Sequence, residues 1–303
     1  MQKIFFLLII FFAHSVPAFA LLENEVCLLN ALSNRSGAPE RFFPSRTLKK
    51  YNTELTGKAT FDAGTLEKLS TAYHAQNVPD FVGRLALNIP EESKYILWTR
   101  DQRALFTFNQ TYYEKGYLQQ MTNSGRLKEI KNSPTGLIMN SWYVHPKMKA
   151  PGGPKKISEI EAASEKFLAS ILDLTPENLP HLKALKKEIT RELKGTFGVT
   201  ERDRVKLYFH FPTAPNTVGL HLHARVNHPT HGLEKSRKFD LDSVISHLES
   251  NRPMSELILK RQTEMGIYFG DKDFAGEFVE QVQRGTVETV ANPFRETHAR
   301  PFP

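Results

Sequence analysis

Two stretches about two thirds of the way along the chain decide the fold: Arg204-Val-Lys-Leu-Tyr-Phe-His-Phe211 and Gly219-Leu-His-Leu-His-Ala-Arg-Val-Asn227. Both alternate strictly. A strand sends successive side chains to opposite faces. Val205, Leu207, Phe209 and Phe211 therefore share one face of the first stretch, and Arg204, Lys206, Tyr208 and His210 share the other. In the second, Leu220, Leu222, Ala224 and Val226 form the apolar face, opposite His221, His223 and Arg225. Clean alternation predicts an antiparallel sheet with one face on the core and the polar row on the other, non-core face.

The segments around this pair complete an α+β pattern. Tyr95 to Phe108 reads as two strands about an Arg100-Asp-Gln-Arg103 turn, and Gly136 to Val144 as another strand. Lys147 to Lys156 is a loop centred on Pro151-Gly-Gly-Pro154. Ile157, Ile160, Phe167, Leu168 and Ile171 fit one helical face. A second helix has Thr175 as N-cap, Pro176 at its first position, an apolar stripe of Leu179, Leu182, Leu185, Ile189 and Leu193, and Gly195 as terminator. A third is expected from Asp240 to Ser250, and a short one over Gly64 to Tyr73. The fold class is α+β, an antiparallel sheet with packed helices.

The chain has 303 residues, 40% hydrophobic and 24% charged, which excludes disorder and fibrous repeats. One cysteine, Cys27, excludes an intramolecular disulfide framework and a Cys-rich metal site. The net charge of +7 arises without a basic run, so it is not a nucleic-acid signature and favours an anionic small ligand or an anionic surface. Lys3, the apolar run Ile4 to Ala13 and the Ala18-Phe19-Ala20 cleavage pattern make residues 1–20 a secretory signal peptide. The mature chain is expected to be secreted or periplasmic, without a membrane segment. Residues 21–90 form an N-terminal region of unreadable fold, 91–285 the sheet-and-helix domain, and 286–303 a tail.

The chemistry sits on the second stretch. Residues i and i+2 of a strand lie roughly 7 Å apart, so His221, His223 and Arg225 could touch one phosphate chain. His210, Tyr208 and Lys206 extend that face if the two strands pair. The bland reading is a polar solvent-facing edge. A second alternative is a metal site, since His-x-His followed by His228-x-x-His231 has ligand spacing. Against it, Arg225 shares the face and repels a divalent cation, and no carboxylate lies between Arg204 and Glu234.

The run His221-Leu-His-Ala-Arg225 is similar to the histidine triad (HIT) pattern His-φ-His-φ-His-φ-φ, with φ apolar. Asp173-Leu-Thr-Pro-Glu-Asn-Leu-Pro180, Asp203 to Phe211, the His-x-His strand and Lys260-Arg-Gln-Thr263 with Asp271-Lys-Asp-Phe274 together resemble the C-terminal domain of scavenger mRNA decapping enzymes. The resemblance covers roughly residues 135 to 280. It implies a HIT-like fold and a nucleotidyl hydrolase or transferase that cleaves a nucleoside di- or polyphosphate through a nucleotidyl-histidine. It makes His223 the nucleophile, His221 its triad neighbour, and His210 and Thr213 phosphate-binding residues. Arg225 stands where the family has its third histidine. Arginine cannot donate a proton at neutral pH, but it can grip phosphate bidentately and stabilise charge. This chemistry needs neither cofactor nor metal. The partner it implies is a nucleotide or dinucleotide, with no stable nucleic-acid partner, and relatives suggest a homodimer. A phosphate- or nucleotide-binding protein without catalysis is the alternative that Arg225 motivates.

Overall fold

The structure, a computed structural model, describes residues 55–75, 96–98, 104–109, 112–113, 116–143, 168–214, 219–229, 236–270 and 273–287. The signal peptide expected at residues 1–20, Cys27, the Pro151–Pro154 loop, most of the helix expected from Ile157, His231 and residues 288–303 lie outside them. In chain order the strands are β1 (Leu55–Lys58), β2 (Ile96–Trp98), β3 (Ala104–Phe108), β4 (Leu137–Tyr143), β5 (Val205–His210), β6 (His221–Val226), β7 (Lys238–Asp240) and β8 (Tyr268–Gly270). The α-helices are α1 (Ala63–Ala75), α2 (Tyr117–Asn123), α3 (Leu179–Gly195), α4 (Leu241–Glu249), α5 (Met254–Met265) and α6 (Phe274–Arg284).

Six strands form one antiparallel sheet in the order β2-β3-β4-β6-β5-β7. The two alternating stretches do pair, with Tyr208 opposite His223 and Lys206 opposite Arg225. On the apolar face lies α3. Its Leu182 and Leu185 line one small crevice together with Phe209, Leu220 and Leu222. Leu182, Leu185, Ile189 and Leu193 are all buried, each worth about 2 kcal/mol of apolar transfer. The Thr175 cap forms but opens a short 3-10 turn, Pro176–Asn178, in which Asn178 Oδ1 accepts the Thr175 N–H at 2.8 Å. The α-helix therefore begins at Leu179. Its end also differs from expectation: Gly195 is its last helical residue, and the left-handed reversal falls at Gly198, φ 61°. The helix from Asp240 to Ser250 forms as α4, with Leu241, Val244, Ile245 and Leu248 inward.

The largest departure concerns β6. Alternation predicts one buried face and one non-core face, yet all six residues of β6 are buried. The reason is position. β6 is an inner strand, flanked by β4 and β5, and aromatic side chains from both neighbours lie against its polar row. Conversely, Val205 at the start of β5 is 42% exposed despite its apolar parity. β7 pairs with β5 only over Tyr208–His210, which leaves the Val205 end of that strand at the sheet edge.

Residues 55–75 build against the C-terminal part of the chain. β1 pairs with β8. Tyr73 of α1 stacks on Phe278 of α6 with ring centroids 5.3 Å apart. Its hydroxyl donates to Thr213 O at 2.9 Å and accepts the Thr213 N–H at 3.0 Å. The Gln262 side chain bonds both the N–H and the C=O of Phe61. Asp203 pins three segments together by accepting from Lys131, from Asn227 and from the Thr200 N–H. Those donors, led by the Lys131 ammonium, hold its carboxyl well below the usual carboxylate range. Gly136 opens β4 at φ 71°, where a Cβ would lie 2.4 Å from Val226 O.

Candidate functional site

β6 sets a buried row: His221 is 9% exposed, His223 7% and Arg225 3%. The β4 register places Trp142 opposite His221 and Asn140 opposite His223. Trp142 stacks on the His221 ring at 4.2 Å, and Tyr208 lies nearly parallel to His223 at 5.1 Å. His210 joins from β5. Its ring centroid is 4.2 Å from that of His223, which is 4.8 Å from that of His221. Three imidazoles thus touch in sequence, walled by Trp142 and Tyr208.

Hydrogen bonds fix which ring nitrogens carry protons. His221 Nδ1 lies 2.7 Å from Gly219 O. A carbonyl only accepts, so Nδ1 carries the hydrogen and the lone pair is on Nε2. Burial pushes the His221 pKa down to about 4, and the Arg225 charge adds to the fall against the opposing Gly219 bond. His221 is therefore neutral at physiological pH. Arg225 Nη2 lies 2.6 Å from His223 Nδ1. A guanidinium only donates, so His223 Nδ1 accepts, and the neutral ring carries its hydrogen on Nε2.

Arg225 is placed differently from its sequence reading. Its Nη1 donates to Met139 O at 2.6 Å, Ala224 O at 3.0 Å and Asn140 Oδ1 at 3.2 Å. With Nη2 on His223, the fork expected to grip phosphate is turned onto the protein itself. The rings of Tyr112 and Tyr208 lie 5.9 and 6.0 Å from the guanidinium carbon.

Partly exposed cations border the row. Lys206, half-buried, reaches His228 O at 3.5 Å. Lys238, opposite His210 in the β5–β7 register, has Nζ 5.8 Å from the Tyr208 ring and 2.9 Å from Asp240. A cavity of about 540 Å³ opens between α3 and the Val205–Leu207 end of β5, and its rim includes both lysines. Thr213 sits apart: Tyr73 holds its backbone, its Oγ1 is buried, and none of the described contacts links it to the imidazoles. Among the described residues, no group of three His, Cys, Asp or Glu side chains is arranged to hold a metal ion. His228 Nδ1 donates to Thr135 O at 2.7 Å instead.

The structure thus brings together His210, His221, His223 and Arg225, sets Lys206 at their margin and leaves Thr213 outside. Sequence reasoning missed Asn140, Trp142 and Lys238. The first two share parity on β4, a signal that becomes readable once β4 is known to neighbour β6. No family model matches this chain, and no curated protein matches it.

Proposed function

We propose that the protein is a HIT-like nucleotidyl hydrolase or transferase that cleaves a phosphoanhydride of a nucleoside di- or polyphosphate through a nucleotidyl-histidine. The observation that supports this most is the chain of three imidazoles, with His223 in van der Waals reach of both His210 and His221. A neutral imidazole beside cationic groups is suited to attack phosphorus and to stabilise the charge that develops. Lys206 and Lys238 supply positive charge at the margin, where phosphate oxygens would sit. The reaction requires no cofactor. The leader at 1–20 places it outside the cytosol, in the periplasm or secreted, acting on small nucleotides and not on a nucleic-acid partner, and the protein is a homodimer in this reading.

Purified mature protein screened against capped, dinucleoside and sugar nucleotides, with products identified by mass, tests the proposal. Release of a nucleoside monophosphate or its transfer to an acceptor is the expected result. The near-complete burial of His221 and His223 favours a second reading, a nucleotide-binding protein without turnover. Calorimetric binding without product or covalent adduct would select that reading.

A further inference from the structure

We infer that the attacking atom is His221 Nε2, and that Arg225 holds His223 as a hydrogen-bond donor to the substrate phosphate. The inference rests on the nucleotidyl-histidine reading above and assigns its nucleophile. The HIT resemblance points to His223, but the hydrogen bonds point to its neighbour.

A neutral imidazole has one N–H and one lone pair, and only the lone-pair nitrogen can attack. His221 spends its Nδ1 hydrogen on Gly219 O at 2.7 Å, which leaves the Nε2 lone pair available. His223 is locked in the opposite tautomer, because its Nδ1 lone pair accepts from Arg225 Nη2 at 2.6 Å. Its Nε2 carries the hydrogen and cannot act as a nucleophile in that state. Moving the hydrogen to Nδ1 would set two donors head to head and sacrifice the Arg225 bond. The charge that develops on attack gives the same answer. An imidazole bonded to phosphorus through Nε2 with Nδ1–H retained is cationic. On His221 that charge faces the Gly219 carbonyl dipole; on His223 it would face a guanidinium. Trp142, stacked at 4.2 Å, fixes the plane of the His221 ring. The low pKa of His221 is consistent, since it keeps the ring unprotonated at neutral pH.

The steps balance. The His221 Nε2 lone pair forms the N–P bond as the phosphoanhydride P–O bond breaks, and the departing phosphate oxygen takes that electron pair. Water or another hydroxyl then bonds to phosphorus, the N–P pair returns to Nε2, and the acceptor's proton passes to solvent. His223 Nε2–H donates a hydrogen bond to a non-bridging oxygen in both steps and keeps its proton. Arg225 acts through His223 and is a positioning residue.

Two measurements test this on the full mature chain. Long-range nitrogen–proton NMR correlations on the wild type read the tautomers without substrate. A protonated Nδ1 on His221 and a protonated Nε2 on His223 are expected, and a protonated Nδ1 on His223 overturns the inference. Incubation with ATP, diadenosine tetraphosphate, UDP-glucose and a cap dinucleotide, quenched in alkali and peptide-mapped by mass, locates the adduct. A nucleotidyl group on His221, absent from His221→Asn and retained in His223→Gln with turnover about 10²–10³-fold slower, supports it. An adduct on His223 overturns the inference and leaves the nucleotidyl-histidine reading standing. No adduct and no turnover across the four compounds overturns both.

Discussion

Replacing Arg225 separates a buried organiser from a solvent-facing phosphate clamp. The side chain is 3% exposed and donates to Met139 O, Ala224 O, Asn140 Oδ1 and His223 Nδ1. Arg225→Met keeps most of the volume and removes every donor. Hydrogen bonds from a charged group contribute about 1.5–3 kcal/mol each, and acceptors left buried without a donor carry their own penalty. The two bonds at 2.6 Å alone imply a loss of about 3–6 kcal/mol. Relief from burying a guanidinium opposes this by a few kcal/mol. The net expectation is a loss of about 2–4 kcal/mol, a large share of the 5–15 kcal/mol typical of a domain. Arg225→Lys keeps the charge and its burial cost, but one ammonium cannot span Met139 O and His223. It should therefore be no more stable than Arg225→Met. Urea titrations followed by circular dichroism would measure both variants, with the midpoint falling at an unchanged slope. Two variants within about 0.5 kcal/mol of wild type, or full rescue by lysine, would refute the buried-organiser reasoning.

Three further outcomes are expected. Burial holds the His221 pKa at about 4 in the folded protein, against about 6.5 for an unperturbed imidazole, so the unfolded chain takes up the proton first. Stability from this group is complete above about pH 6.5 and declines by about 3 kcal/mol as pH falls to 4, and His221→Asn should flatten that slope in pH-dependent denaturation. Gly136→Ala must place a Cβ 2.4 Å from Val226 O at φ 71°, so it should cost more than about 2 kcal/mol, read as a lower Tm. Tyr73→Phe keeps the stacking on Phe278 but strips the hydroxyl from Thr213 N and O, and should lose about 1–3 kcal/mol in chemical denaturation.

The sequence by itself determined the elements whose pattern is local. The period of two in Val205–His210 and His221–Val226 reads directly as strands. The stripe from Leu182 to Leu193 reads as the buried face of a helix, and Asp240 marks where α4 begins. The same alternation placed His221, His223 and Arg225 on one face and His210 with Lys206 beside them. Periodicity says nothing about which strand becomes central, because strand order depends on contacts between residues far apart in the chain. Tertiary structure alone decided that β4 lies beside β6, which brings Trp142 and Asn140 to the row and buries a face that reads as polar. It also decided that residues 55–75 join β8 and α6 from across the chain. Most consequentially, it settled the protons. From the sequence Arg225 reads as a phosphate grip on a non-core face, and only the positions of Met139 O, Asn140 and His223 around it turn the guanidinium inward. A tautomer is set by the partner of a single nitrogen, and that partner is known only when the chain has folded around it.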